Sequence, residues 1–595
     1  MEVGHAVWTV QERIPKHTEP LSADIEPLLD RVFRNRGIVD PAHLNHRLTG
    51  LLDPAGMRGM DAAVDLVIQS LECSGEILVV GDFDADGATS CALAVLGLRA
   101  FGAEVDYLVP NRFEYGYGLT PEIVALTAAR PPWLLITVDN GISSHAGVEA
   151  ARAAGSRVLI TDHHLAGDRL PAADAILNPN QPGCGFGSKA LAGVGVVFYL
   201  LIALRRALTT RGWFDRRQTQ PPNLSQWLDL VALGTLADLV PLDHNNRILV
   251  DQGMRRIRQG RCRPGIRALA EVAHRDLLRL SCADVGFGLA PRLNAAGRMQ
   301  DMRTGIECLL AETDPPARAI AADLDQLNRE RRTTEQRMQL EAQQQMLTLD
   351  QTGSVDAGVV LFDSSWHAGV IGILAARVKE RVYRPTICFA PGSGAEIKGS
   401  ARSISGVHMR DILAEVDRRS PDLLLQYGGH AMAAGVTIAA ADLERFRGCF
   451  IDVLRDRVDP NLFEGRLLTD GSLTEGQLSL DVARKIRYAA PWGQAFPEPM
   501  FEGWFDVRSH RVAGEKHLRM RIAQAASAGA EVDAILFNAD FDRIEEFRAP
   551  VRFVYRLDVN FWRGEDRLQL RIEHWPAPDS SPIGGCGRRQ AAGPQ

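Results

Sequence analysis

Four short clusters of acidic and imidazole side chains are the residues best suited to chemistry. The first is Gly81-Asp82-Phe83-Asp84-Ala85-Asp86-Gly87, directly after the β-branched run Ile77–Val80. Its three carboxylates alternate at the end of an expected strand, where alternate side chains share a face. Like charges crowded in this way raise one another's pKa and destabilise the fold, and bound cations relieve the repulsion. An acidic turn leading into a helix N-cap explains Asp86 alone but poorly explains all three. The second cluster, Thr137-Val138-Asp139-Asn140-Gly141, again places a carboxylate at a strand end, although Asp-Asn-Gly is also a common turn. The third is Thr161-Asp162-His163-His164. Adjacent histidines after a strand point to opposite sides, so one can bind a metal while the other meets substrate. The fourth is Leu233-Gly234-Thr235-Leu236-Ala237-Asp238-Leu239-Val240-Pro241, with one acid in an apolar stretch. A buried carboxylate needs a partner, and a metal is a natural one. The set reads as aspartates and one histidine at successive strand ends. Oxygen ligands with an imidazole suit Mn²⁺ or Mg²⁺ rather than zinc. Two such ions about 3.5–4 Å apart can clamp a phosphodiester, activate water and stabilise the leaving oxygen.

The elements that must position these residues follow an α/β pattern. Strands are expected at 77–80, 105–109, 133–138 and 157–161, with helices between them, including Ala88 to Phe101. Such alternation argues for a parallel, doubly wound sheet whose ligands bind at the carboxyl ends of its strands. One long helical pattern runs from Pro315 to about Leu349, with only a thin apolar stripe at Ile320, Leu324, Leu327 and Met338. A polar helix that long bridges domains. Strands at 359–362 and 386–390 begin a second α/β domain. After about 465 the pattern becomes β: Leu518, Met520 and Ile522 alternate with arginines, as do Leu568, Leu570 and Ile572 with Gln569 and Arg571. Turns at 512–515 and 563–566 complete a small barrel. The expected organisation is an irregular arm with short helices (1–50), a parallel-sheet catalytic domain (51–310), a bridging helix (311–350), a second α/β domain (351–460), a barrel (461–577) and a disordered tail (578–595).

Composition sets outer limits. With 595 residues, 46% hydrophobic and 24% charged, the chain is globular and long enough for three or four domains. A net charge of −7 argues against a surface coated throughout by nucleic acid. The arginine-rich stretch Arg255, Arg256, Arg258, Arg261, Arg263, Arg267, Arg275 and Arg279 is either a solvated helix face or a nucleic-acid rim. The nine scattered cysteines form no Cys-x-x-Cys pair, which fits reduced thiols in a cytoplasmic protein. The N-terminus lacks the pattern of a secretory signal. The apolar run Leu191–Leu204 is too short to span a bilayer and reads as a buried helix, so no membrane partner is expected.

In their order and wording, the four clusters resemble motifs I to IV of the DHH phosphoesterases, and Asp162-His163-His164 resembles the triplet that names that superfamily. The resemblance implies metal ligation by Asp84, Asp86, Asp139, His163 and Asp238, with Asp82 a further ligand in the nuclease branch. Asp139 would serve the catalytic centre, and His164 would assist phosphate binding or protonation of the leaving group. Further segments are similar to the RecJ branch: Pro110-Asn111-Arg112-Phe113, Gly116-Tyr117-Gly118-Leu119, Leu191–Gly195, Pro291–Met299, Trp366–Gly372, Gly399–Ser403 and Gly428–Gly435. That branch implies a 5′→3′ exonuclease releasing mononucleotides from single-stranded DNA in recombination and repair, with a C-terminal oligonucleotide-binding barrel. Arg298 (after a glycine turn), Ser400, Arg402 and His430 would anchor the 5′ phosphate. Gly428-Gly429 beside His430 would let backbone amides approach an anion. Single-stranded-DNA-binding protein, a RecQ-type helicase and recombination and mismatch-repair proteins are the partners such a family implies. In the barrel, Trp492, Phe496, Phe501, Trp504, Phe561 and Trp562 are the candidates for base stacking. Two other readings compete: a DHH phosphodiesterase acting on short oligonucleotides or cyclic dinucleotides, and a nucleic-acid-binding protein with a decayed site. The extra barrel weighs against the first and the intact acids against the second.

Overall fold

The computed structural model describes residues 8–576 apart from 16, 112–113, 352–356, 515, 526–529, 540 and 563. Arg112, Phe113, Glu515, Arg563 and the tail 578–595, which figure in the sequence reading, lie outside the described residues. Two compact units are present. One comprises 38–462 with 490–497, and the other comprises 8–37, 463–489 and 498–576 among the described residues.

The first unit holds two sheets. In one, five parallel strands lie in the order Val105–Leu108, Ile77–Gly81, Leu134–Val138, Arg157–Thr161, Ala175–Leu177. The chain starts in the second position and then reverses direction across the sheet, so a topological switch point lies beside Ile77–Gly81. Ligands collect at such a point, beyond the carboxyl ends of the strands. Helices Ala85–Ala100 and Gly193–Thr210 cross closely, since a Cβ on Gly97 would lie 2.4 Å from Leu201. Among the described residues, Gly193–Thr210 is the one helix long and apolar enough to cross a membrane. Val194, Val196, Val197, Tyr199, Leu200, Leu201 and Leu204 are nevertheless all buried, so it serves as a core helix.

The helix Asp314–Gln351 has 38 residues, about 57 Å of rise. Its inner face explains the thin apolar stripe. Ala317, Ala321, Leu324 and Leu327 are buried toward one end and Met338, Ala342 and Met346 toward the other. Between them the buried residues are polar. Arg331 donates to Asn328 Oδ1 (3.0 Å) and to Glu335 (2.5 Å), and Arg377 donates to Glu335 from a neighbouring helix (3.3 Å). Ile320 is only half-buried. The second sheet runs Gln426–Gly429, Ala433–Ala439, Glu396–Arg402, Thr386–Pro391, Val359–Phe362, with only the last pair parallel.

The arginine-rich stretch is tied into the fold. Arg263 donates to the carbonyls of Leu309, Leu310 and Ala311, Arg258 to that of Leu280, and Arg267 to Asp314. Arg255, Arg275 and Arg279 pair with Asp251, Asp284 and Asp276. The cysteines among the described residues are free thiols.

In the second unit, strands Phe501–Ala513, His517–Gln524, Val532–Leu536, Glu565–His574 and Val551–Trp562 close a barrel in that order. The arm contributes a strand with no local sequence signal: Trp8–Glu12 pairs in parallel with Gly465–Thr469. Asp470, fully buried, accepts from Asn35 Nδ2 (2.9 Å) and from both Arg36 Nη atoms (3.0 Å each), fixing the arm within this unit.

Candidate metal centre

Asp82, Asp84, Asp86, Asp139, His163 and Asp238 converge at the switch point. The ligand atoms of Asp82, Asp84 and Asp139 lie within 4.8 Å of one another, as do those of Asp86, His163 and Asp238. The two groups meet at Asp139, whose Oδ1 is 3.2 Å from His163 Nε2. That nitrogen is also 3.5 Å from Asp238 and 4.0 Å from Asp86.

How the residues reach the site differs from the sequence reading in two respects. First, the three acids of the Asp82–Asp86 segment do not alternate along a strand. Asp84 is extended (φ −115°, ψ −174°) and caps the helix Ala85–Ala100 by accepting from Gly87 N at 3.0 Å, so Asp86 already lies in the first helical turn. The N-cap turn, not strand pleating, gathers the acids, and it sends Asp86 to a different neighbour set from Asp82 and Asp84. Second, Asp238 is not at a strand end. It is the C-terminal cap residue of helix Leu228–Ala237.

Backbone devices hold the carboxylates. The helix Gly193–Thr210 begins at Asp86, whose two oxygens accept from Gly193 N (2.6 Å) and Val194 N (3.0 Å). A helix N-terminus favours a negative charge there. Gly193 has to be glycine, because a Cβ would lie 2.7 Å from Asp139 Oδ1. Asp139 itself adopts φ +62°, a conformation that Asp and Asn tolerate better than other residues with side chains. The sequence reading did not single out Gly193 as a support of the site. Its only local signal is a glycine opening an apolar helical run.

The electrostatics call for cations. Burial, and then the charges of Asp86, Asp84, Asp82 and Asp238, push the Asp139 carboxyl well above the usual range. Burial, Asp238 and Asp84 do the same to Asp86. Burial lowers the pKa of His163, keeping it in the neutral form that binds metals. Asp139 Oδ1 and His163 Nε2 are buried without a hydrogen-bond partner. Orphaned acceptors at this density fit divalent cations, and the donor set of oxygens with one imidazole fits Mn²⁺ or Mg²⁺.

Contrary to the expectation that adjacent histidines point to opposite sides, His164 packs beside His163, with ring centroids 4.5 Å apart and a ligand atom within 4.8 Å of those of His163 and Asp139. Its Nδ1 is 2.7 Å from Asp162 Oδ1. Burial opposes its protonation, but the hydrogen bond and charge of Asp162 prevail and raise its pKa to about 9. Burial likewise pushes Asp162 up, yet the His164 contact and a hydrogen bond from Ile142 N hold it at about 2. The triplet alone gives Asp162 no role of its own; in the structure it lies behind His164. Asn180 Nδ2 donates to His163 O (2.6 Å) and Asn178 Nδ2 to His164 O (2.8 Å), fixing the histidine pair.

The four candidate phosphate-anchoring residues form two groups. Ser400 and Arg402 share one face of strand Glu396–Arg402 and abut Gly372, near the start of helix Ile371–Val382, where a Cβ would lie 2.9 Å from both side chains. Arg402 donates to Ser400 Oγ at 3.1 Å. Arg298 reaches the same turn, donating to Gly369 O at 3.2 Å. It does not follow a glycine turn. Gly297 lies within helix Ala290–Met299, where a Cβ would fall 1.8 Å from Phe83 O. The imidazole of His430 stacks on His164, with ring centroids 5.8 Å apart and planes 17° from parallel. Its neighbouring glycines pair with Ala434 and Gly435 in a hairpin ladder.

The aromatic candidates also separate. Trp504 and Phe561 are half-exposed, whereas Trp492, Phe496 and Phe501 are buried. Trp492 and Phe496 stack on each other within the first unit rather than in the barrel's unit. The Trp562 side chain lies outside the described residues.

Comparison with known proteins agrees with this geometry. Three family models match: the DHH family N-terminal domain over 76–235, the DHHA1 domain over 356–456 and the RecJ OB domain over 469–574. The single-stranded-DNA-specific exonuclease RecJ of Salmonella typhimurium is 48% identical over 571 residues, which is 95% of this chain and 99% of that protein. The chain belongs to the RecJ family. Two crystal structures of RecJ from Thermus thermophilus superpose on it, one in complex with Mn²⁺ (TM-score 0.78, 29% identity, 96% of this chain and 80% of that one) and one in complex with Mg²⁺ (TM-score 0.72, 28% identity, 96% and 79%). The α/β architecture with DHH and DHHA1 domains and a closed OB barrel is thus the RecJ architecture.

Proposed function

We infer that this chain is a single-stranded-DNA-specific exonuclease using Mn²⁺ or Mg²⁺, that two ions sit among Asp82, Asp84, Asp86, Asp139, His163 and Asp238, and that it works 5′→3′ and releases mononucleotides. The observation that carries this reading is the convergence of side chains from residues 82 to 238 on one buried cluster with orphaned ligand atoms. Two cations there would supply Lewis-acid polarisation of the phosphoryl group and lower the pKa of water. Asp139, in one half of the cluster and 3.2 Å from His163 of the other, stands where the two halves meet and would be among the residues that hold the ions. His164, held protonated by Asp162 below about pH 9, can offer a proton from Nε2 to the departing O3′. Arg298, Ser400, Arg402 and the start of helix Ile371–Val382 offer guanidinium, hydroxyl and backbone donors to a terminal phosphate. An anchor for the 5′ phosphate beside the cutting site gives both 5′ polarity and single-nucleotide steps. Cleavage of the P–O3′ bond leaves a new 5′ phosphate, so the anchor can be refilled after each turnover.

In the same reading the protein acts in the cytoplasm, in recombination and repair. Single-stranded-DNA-binding protein, a RecQ-type helicase and mismatch-repair proteins are its family-level partners. The decisive experiment is digestion of end-labelled single strands blocked at either end, with and without Mn²⁺. A 5′ block should stop release and a 3′ block should not. Release from the 3′ end, or undiminished release in chelator, would refute the reading.

A further inference from the structure

The helix Ala290–Met299 is pressed against the turn that carries the first acids. Asn294 Oδ1 accepts the Ala85 backbone N–H at 2.8 Å, across 209 residues of sequence. Ala85 is the first residue of helix Ala85–Ala100 and stands between Asp84 and Asp86. Its N–H is one of the donors that a helix start leaves unpaired. The turn's own cap, Asp84, is already engaged with Gly87 N, so Asn294 supplies the fixed point outside the turn. One helical turn further on, Gly297 sits so close to Phe83 O that a Cβ would fall 1.8 Å from it. Asn294 and Gly297 therefore face the same side, one by a hydrogen bond and the other by close backbone approach. The turn cannot shift toward or away from the helix without breaking one of these contacts.

We propose that Asn294 is a positioning residue for the metal pair. By holding Ala85 N–H it fixes the angle at which Asp84 and Asp86 diverge, and so the spacing of the two halves of the cluster. This rests on the two-cation reading above. Asn294 bonds the backbone between Asp84 and Asp86, so the effect is transmitted through the backbone of the turn.

The test is Mn²⁺ binding to the metal-free full-length protein, followed by the loss of the free-ion electron paramagnetic resonance signal, which needs no turnover. Asn294→Leu keeps the side-chain shape and removes the acceptor, while Asn294→Asp keeps an acceptor in place. Asn294→Leu is expected to weaken Mn²⁺ binding about 10- to 100-fold, the usual effect of losing a group that orients a ligand, and Asn294→Asp is expected to restore it. Circular dichroism and thermal melting check the fold. If Asn294→Leu does not fold, Asn294→Ala replaces it with the same expected loss, because the position is only half-buried. Wild-type affinity in a folded variant lacking the acceptor would overturn the proposal, as would equal losses in Asn294→Leu and Asn294→Asp. If the wild-type protein itself binds no Mn²⁺, it is the two-cation reading that fails.

Discussion

Replacing Asp139 with asparagine should make the metal-free protein more stable while removing its activity. Asn is the appropriate substitution because residue 139 has φ +62°. Asn tolerates that conformation, whereas alanine would add roughly 1–2 kcal/mol of backbone strain and confound the result. The carboxylate oxygens of Asp82, Asp84 and Asp139 lie within 4.8 Å of one another. Two unit charges at that separation repel by about 3.5 kcal/mol at an effective dielectric constant of about 20. The folded protein reduces this by retaining protons, since burial first and the neighbouring carboxylates second raise the Asp139 carboxyl. The realised gain is therefore a fraction of the pairwise figure, on the order of 1–3 kcal/mol.

The sign with pH follows from that raised value. The unfolded chain releases the proton near pH 4 and the folded chain only at higher pH. Stability associated with this group is thus complete below pH 4 and is lost as pH rises toward the folded value. Asp139→Asn should come closest to wild type near pH 4 and exceed it at pH 8. The assay is thermal unfolding in chelator at both pH values, repeated with saturating Mn²⁺. With Mn²⁺ the order should reverse, because a ligand that binds only the folded state stabilises it and the variant has lost part of that site. A variant no more stable than wild type in chelator at pH 8, or one stabilised equally by Mn²⁺, would refute the reasoning.

Three further outcomes follow. Gly193→Ala, which would put a Cβ 2.7 Å from Asp139 Oδ1, should lower exonuclease kcat at least tenfold; circular dichroism should show the fold retained, at a stability loss of about 1–3 kcal/mol. Arg402→Ala should reduce kcat/KM on 5′-phosphorylated single strands roughly 10- to 100-fold, as expected for one charge-assisted phosphate contact, and should change turnover of 5′-hydroxyl strands far less. Asp229, which accepts from Leu230 N and Arg263 N, is raised by burial to about 6. Its ionisation should therefore cost stability as pH rises from about 4 to 6. The stability gap between Asp229→Asn and wild type, from urea melts, should move in favour of the variant by about 2 kcal/mol between pH 4.5 and 7.

Residue types and their local patterns were enough to read the chemistry and most of the elements that carry it. Donor atoms decide metal preference, and carboxylates with one imidazole keep theirs wherever they are placed. The strands at 77–81, 134–138 and 157–161 were legible because runs buried on both faces leave a continuous apolar signature. Strand Trp8–Glu12 was not legible, since its partner lies more than 450 residues away and a half-exposed edge carries little pattern. Which acid belongs to which half of the metal cluster became visible in the folded arrangement alone. Asp82, Asp84 and Asp86 look equivalent in sequence, but the N-cap at Asp84 turns the chain between them, and the amides of Gly193 and Val194 claim Asp86 alone. The supporting roles of Gly193, Asn294 and Asp162 are not legible for a related reason: a contact between distant segments, or a role set by what lies behind a side chain, leaves no local periodicity. Such geometry exists only once the sheet has brought its carboxyl ends and the surrounding helices together.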